Sequence, residues 1–131
     1  MIYTNIDKFM DGVFTHQFLS NLLTTASYGS FWFSVSYRDC NPEILIEGAR
    51  NLHECREDIW AEILLKGGQI CVMDAEEEKD YFLKLEDIKR GFLLTMLNYP
   101  TMYAALMDET EDLYDADCVI QCAVFGEQTY G

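Results

Sequence analysis

The run GGQICVMDAEEEKDYFLKL, residues 67–85, decides the fold. Gly67-Gly68 stops what precedes it and turns the chain. Gln69–Asp74 then reads as a strand, and Tyr81–Leu85 as a second. Between them Ala75–Asp80 is a short acidic link, which suits a β-hairpin. On both flanks the apolar spacing changes to that of a helix. Arg56–Lys66 puts Ile59, Trp60, Ile63 and Leu64 on one side, and the segment from Asp87 to about Asn98 turns Ile88, Phe92, Leu93 and Met96 inward.

Working outward, Phe31–Arg38 (FWFSVSYR) alternates as a strand, with Phe31, Phe33, Val35 and Tyr37 on one face and Trp32, Ser34, Ser36 and Arg38 on the other. Before it, apolar residues recur at steps of three and four from Ile6 to Leu23. This predicts one long helix capped by Asn5, running to about Ala26 and ended by Gly29. Glu43–Cys55 is ambiguous: Ile44-Leu45-Ile46 suits a strand or a helix, and Gly48 argues against a long helix. Pro100 suits a first helical position ahead of a short helix, Thr101–Met107. A last helix, Cys118–Phe125, takes Asp115 or Asp117 as its cap and ends at Gly126. The expectation is a single α+β domain over residues 1–131: a small antiparallel sheet of about three strands with four or five helices packed on one face.

At 131 residues, surface scaling gives roughly 7,000 Å² exposed and about two thirds of the unfolded surface buried. That is an ordinary core, with no need of disulfides or a structural metal. The charge is the outlier: 23 acids against nine bases give a formal net charge of −14. Like-charge repulsion disfavours direct contact with nucleic acid or an anionic membrane, so the natural partners are basic surfaces. Met1–Lys8 lacks the basic and apolar pattern of a secretory signal. No stretch approaches the roughly 18 apolar residues of a membrane helix. The five cysteines, Cys40, Cys55, Cys71, Cys118 and Cys122, are irregularly spaced. Free thiols in a reducing cytoplasm are expected.

Two acidic clusters are candidate partner-binding surfaces. Asp74, Glu76, Glu77, Glu78 and Asp80 surround the hairpin tip. Asp108, Glu109, Glu111, Asp112, Asp115 and Asp117 lie before the last helix. A calcium loop counted from Asp108 needs Gly at position six and Glu at twelve, where the chain has Leu113 and Val119, so that motif fails. If the two clusters share a face, the protein resembles a DNA mimic. Spreading −14 evenly gives only roughly one charge per 500 Å², against roughly one per 100 Å² on duplex DNA, so mimicry requires segregated acids.

Metal and catalytic motifs are weak. Neither His53/Cys55 nor Cys118/Cys122 has the C-x2-C spacing of a zinc site. No metal or cofactor is expected. A cysteine nucleophile needs a base, and the only histidines are His16 and His53. Gly67-Gly68 lacks the Lys-Ser/Thr of a phosphate loop. No catalytic residue is assigned.

The stretches FLSNLLTTASYGSFWF, AEILLKGGQICVMD, YFLKLEDIKRGF and DADCVIQCAVFGEQTYG resemble a group of small uncharacterised acidic proteins of phages and prophages. They cover about half the chain, in the group's order: a helix closed by a Gly turn before an aromatic strand at Trp32, the Gly67-Gly68 turn, an acidic hairpin, a helix start over Leu85–Gly91 and a terminal Phe125–Gly131. The segment Asp39–Arg56 departs from the pattern. The resemblance implies a bacterial host cytoplasm and a mobile-element origin, and carries no catalytic residues. The functional expectation is a phage-type protein that binds a basic protein partner, such as a host defence nuclease or DNA-binding protein. A small hydrolase using carboxylates or a cysteine is the alternative from another class, and a structural or packaging accessory a third.

Overall fold

A computed structural model describes residues 2–101, 104 and 113–130. In chain order the elements are α1 (Ile2–Val13), α2 (His16–Gly29), β1 (Phe33–Ser36), α3 (Glu43–Leu52), α4 (Arg56–Leu65), β2 (Gln69–Asp74), β3 (Lys79–Lys84), α5 (Leu85–Asn98) and α6 (Leu113–Phe125). The fold is α+β. One antiparallel sheet in the order β1-β2-β3 accompanies six helices among the described residues. The helix expected over Thr101–Met107 lies mostly outside them.

The hairpin forms as its alternation dictates. Ile70 pairs with Leu83 and Val72 with Tyr81, and Val72 faces Val35 of β1. Ile70, Val72 and Leu83 are buried on this face. They pack into a core shared with Leu19, Leu22 and Leu23 of α2, Trp60 and Leu64 of α4, Ile88 and Phe92 of α5, and Val119 and Ile120 of α6. Phe92 stands edge-to-face to both Phe14 (5.4 Å) and Phe18 (5.7 Å). That geometry suits the ring quadrupoles. The opposite face carries Ser34, Ser36, Met73, Asp80, Phe82 and Lys84, all exposed. The helices therefore cover one side of the sheet only.

Several local expectations are corrected. The long N-terminal helix is two. Thr15 has extended backbone, and its hydroxyl accepts from the Phe18 amide at 3.2 Å, capping α2. Asn5 is no cap, because α1 already begins at Ile2. The apolar period runs on across the break because both helices face one core. Trp32 is buried and Phe31 is 93% exposed, the reverse of the strand alternation, because the regular strand begins only at Phe33.

The ambiguous segment is a helix, α3, with Ile46 and Ala49 buried three apart. Its start is tied to β2 by Asn41, whose amide group donates to the Gln69 carbonyl (2.7 Å) and whose oxygen accepts from the Gln69 amide (2.9 Å). Gly68 lets this corner close: a Cβ there would meet Ile63 Cγ2 and Leu45 Cδ2 at 2.6 Å. Asp115 and Asp117 are not caps, since α6 begins at Leu113.

All five cysteines are free, with Cys55 exposed, Cys40 and Cys71 half-buried, and Cys118 and Cys122 buried. A hydrogen bond with Cys122, followed by burial, holds the Cys118 thiol well above the ordinary thiol range. Cys55 should therefore alkylate first, while Cys118 and Cys122 react at least about a thousandfold more slowly, because reaching them requires opening of the core. Mass spectrometry of timed iodoacetamide reactions reads the order. Denatured, unreduced protein should titrate five thiols; three or one would establish disulfides.

Candidate functional site

β2 and β3 are joined by the turn 75–78, in which Glu78 takes the left-handed conformation, φ +52°. Glu76, Glu77, Glu78 and Asp80 are exposed and stand together at this tip. Asp74 does not belong with them. It is fully buried, so it offers nothing to a partner. One carboxylate oxygen accepts from the Glu76 and Glu77 amides (2.9 and 3.3 Å), and the other accepts from the Tyr130 hydroxyl at 2.9 Å. Asp74 is thus the internal anchor of the acidic turn.

The second cluster divides differently. Asp108, Glu109, Glu111 and Asp112 lie outside the described residues. Asp115 and Asp117 sit in the first turns of α6, half-buried. Asp117 points inward and accepts from Trp32 Nε1 (2.7 Å), from the Ser30 hydroxyl and from Gln121 Nε2. It anchors the segment leading into β1 rather than presenting charge outward.

Gln121 joins these anchors. Fully buried, it accepts from the Thr129 and Tyr130 amides, both at 2.7 Å, and donates to the Tyr130 carbonyl at 3.1 Å. The C-terminal segment is thereby folded back, with Tyr130 5.4 Å from Trp32 and 5.7 Å from Phe125 between ring centroids. Loss of solvent, then the adjoining Asp74 carboxylate, push the Tyr130 phenol up to about 12. It therefore remains a donor across the neutral range. The tail positions the hairpin tip from below.

Beside the tip the uncovered sheet face presents Met73, 45% exposed, and Phe82, 56% exposed. The register sets Met73 opposite Asp80 and Cys71 opposite Phe82. Asp80 therefore adjoins an apolar centre, and Ser34 and Ser36 of β1 and Lys84 of β3 share the face.

A separate cluster gathers at the far end of the helices. His16 opens α2, His53 closes α3, and Asp58 and Glu62 lie one turn apart on α4. The two imidazoles stack with centroids 4.7 Å apart. Glu62 Oε1 lies 3.1 Å from His53 Nε2 and 3.9 Å from His16 Nδ1. The other nitrogen of His16, Nε2, is 3.4 Å from Asp58 Oδ1, and Ser20 donates to the same oxygen at 2.6 Å. The Ser20 hydroxyl, then His16, hold the Asp58 carboxyl below the usual carboxylate range against partial burial. Ser20 is bonded to the carboxylate and not to the imidazole, so its hydroxyl is not activated as a nucleophile. Glu62 also lines an apolar groove of about 210 Å³ with Ile44, Leu45, Gly48, Ala49 and Leu52.

No motif brought these histidines together, since they lie 37 positions apart. The available signals were helical: His16 and Ser20, like Asp58 and Glu62, are spaced by four and share a face. The cysteine pairs considered from sequence form no such cluster. Cys118 and Cys122 lie in the core, and Cys55 is exposed ahead of α4. Among the described residues no helix is long and apolar enough to cross a membrane. Compared with family models, curated proteins and solved structures, neither the sequence nor the fold finds a match.

Proposed function

We propose that this chain is a small phage-type binding protein of the bacterial cytoplasm that engages a basic protein surface, such as that of a nuclease or a DNA-binding protein. The contact is made by the hairpin tip, Glu76, Glu77, Glu78 and Asp80, together with the adjoining sheet face. The observation that carries the reading is the uncovered face itself. Half-exposed Met73 and Phe82 sit next to four exposed carboxylates, Asp80 at the start of β3 and three on a turn fixed by buried Asp74. An apolar centre with a charged rim is the anatomy of an interface, and a fixed turn loses little entropy on binding.

The test is capture from a host lysate at low salt, followed by affinity measurement with the purified partner. Glu76, Glu77 and Glu78 changed together to Gln should weaken binding at least tenfold and slow association, as should Phe82→Ser by a faster off-rate. Wild-type affinity should fall as ionic strength rises from about 0.01 to 0.15 M, where the screening length drops from about 30 to about 8 Å. Both variants should unfold within about 1 kcal/mol of wild type, because the altered groups are solvated. Unchanged affinity of the triple variant at low salt overturns the reading.

A further inference from the structure

We infer that His16, His53 and Glu62 form a binding site for a divalent first-row transition ion of the zinc type, with Asp58 and Ser20 orienting His16. One donor atom from each of the three residues already lies within 4.8 Å of the others, and His16 Nδ1 and His53 Nε2 are the nitrogens within 4 Å of Glu62 Oε1. A tetrahedral ion with bonds of about 2.0–2.1 Å needs its ligand atoms about 3.3 Å apart. The His53–Glu62 separation of 3.1 Å meets this; His16 must swing toward Glu62, from 3.9 Å, and out of its stack on His53 so that the two in-plane lone pairs converge on one ion.

The surroundings match what such a site demands. A ligating imidazole normally donates its second N–H to a carboxylate, which fixes ring and tautomer. Here His16 Nε2 faces Asp58 Oδ1, and Asp58 is itself steadied by Ser20. With its proton on Nε2, toward Asp58, His16 keeps Nδ1, the atom facing Glu62, as a lone-pair donor, while His53 Nε2 gives up any proton it shares with Glu62 when the ion binds. Two nitrogens and one oxygen select zinc or a neighbouring transition metal over calcium or magnesium, which take oxygen ligands. Three protein ligands leave a fourth position open, the pattern of sites that hold water or a small ligand. The ligands come from three helices, α2, α4 and the end of α3, so a bound ion would staple them together.

The experiment is titration of chelator-stripped protein with Zn²⁺ in competition with a chromophoric chelator. One equivalent should bind at micromolar Kd or tighter. Glu62→Gln and His53→Ala should each weaken binding at least a hundredfold. Asp58→Asn should weaken it by about 10- to 100-fold, as a group acting through a ligand. Circular dichroism and the unfolding midpoint of each metal-free variant establish that it is folded. Co²⁺ should give the intense visible bands of a four-coordinate N/O site, without thiolate charge-transfer absorption. Cys55→Ser should bind as wild type. No binding stronger than about 100 μM to folded wild type would refute the site. So would affinity that is lost with Cys55→Ser but kept with Glu62→Gln.

Discussion

Gly91→Ala should lower the stability of the domain by about 3 kcal/mol, moving the urea midpoint down by more than about 1 M. Helix propensity alone predicts the opposite sign, because alanine is favoured over glycine inside a helix by about 1 kcal/mol. The outcome turns on space. Gly91 is buried where α5 crosses α6. A Cβ there would press on the Val119 carbonyl oxygen and lie 2.8 Å from the Ala123 nitrogen and 2.9 Å from its Cβ. Two of these contacts are backbone atoms of a helix and cannot rotate away. The helices must separate, loosening Ile88 and Phe92 against Val119 and Ile120, all buried. Gly48→Ala is the control. Gly48 lies within α3, and a Cβ added to it would have nothing within 4 Å, so the same substitution should raise stability by about 0.5–1 kcal/mol. Equal effects at the two sites would show that propensity, not contact, governs both.

The sequence showed Gly91 inside a helix but not why a helix should keep it, and the same boundary recurs elsewhere. Period-two alternation in Gln69–Asp74 and Tyr81–Leu85 was enough to place the hairpin, because each buried residue is dictated by its neighbour two positions away. That alternation also put Asp74 on the face of Ile70 and Val72. The burial of Asp74 was therefore legible, and was masked by the acids that follow it. The break at Thr15 was harder to see. Apolar spacing reports which way side chains face, and α1 and α2 face the same core, so the period hardly registers the gap. Gly12, a weak helix former just before the end of α1, and Thr15, the cap of α2, were the local signs. Ile44-Leu45-Ile46 fits a strand or a helix equally well, and the choice is made by Asn41 and Gly68, which belong to other parts of the chain. The His16–His53–Glu62 cluster is tertiary throughout. Its members share no local spacing, and only the packing of α2 and α3 on α4 brings them into contact.

Gln121→Leu should have the second large effect, about 2–4 kcal/mol, although leucine has nearly the volume of glutamine and suits both a helix and a core. The Gln121 side chain makes four hydrogen bonds from a fully buried position: to Asp117, to the Tyr130 carbonyl, and from the Thr129 and Tyr130 amides. Leucine makes none of them. A buried group left without its partner costs about 1–3 kcal/mol, so leaving all four unmet would exceed that whole range. The cheaper course is for the tail to undock and return its amides to water. The loss is then capped by what docking contributes, which includes the Tyr130 ring against Trp32 and Phe125 and the Tyr130 hydroxyl on Asp74. Two results follow from this cap. Hydrogen exchange at the Thr129 and Tyr130 amides should become fast in Gln121→Leu while the β2 amides stay protected. Removal of Glu127–Gly131 should cost more than about 1 kcal/mol by itself and should not add to Gln121→Leu, since both abolish one docking event. Full additivity of the two in urea unfolding would mean that Gln121 acts within α6 alone and that the tail docks without it. Non-additivity, with the amides exposed, assigns Gln121 as the clamp that holds the tail, and through Tyr130 and Asp74 the acidic turn, in place.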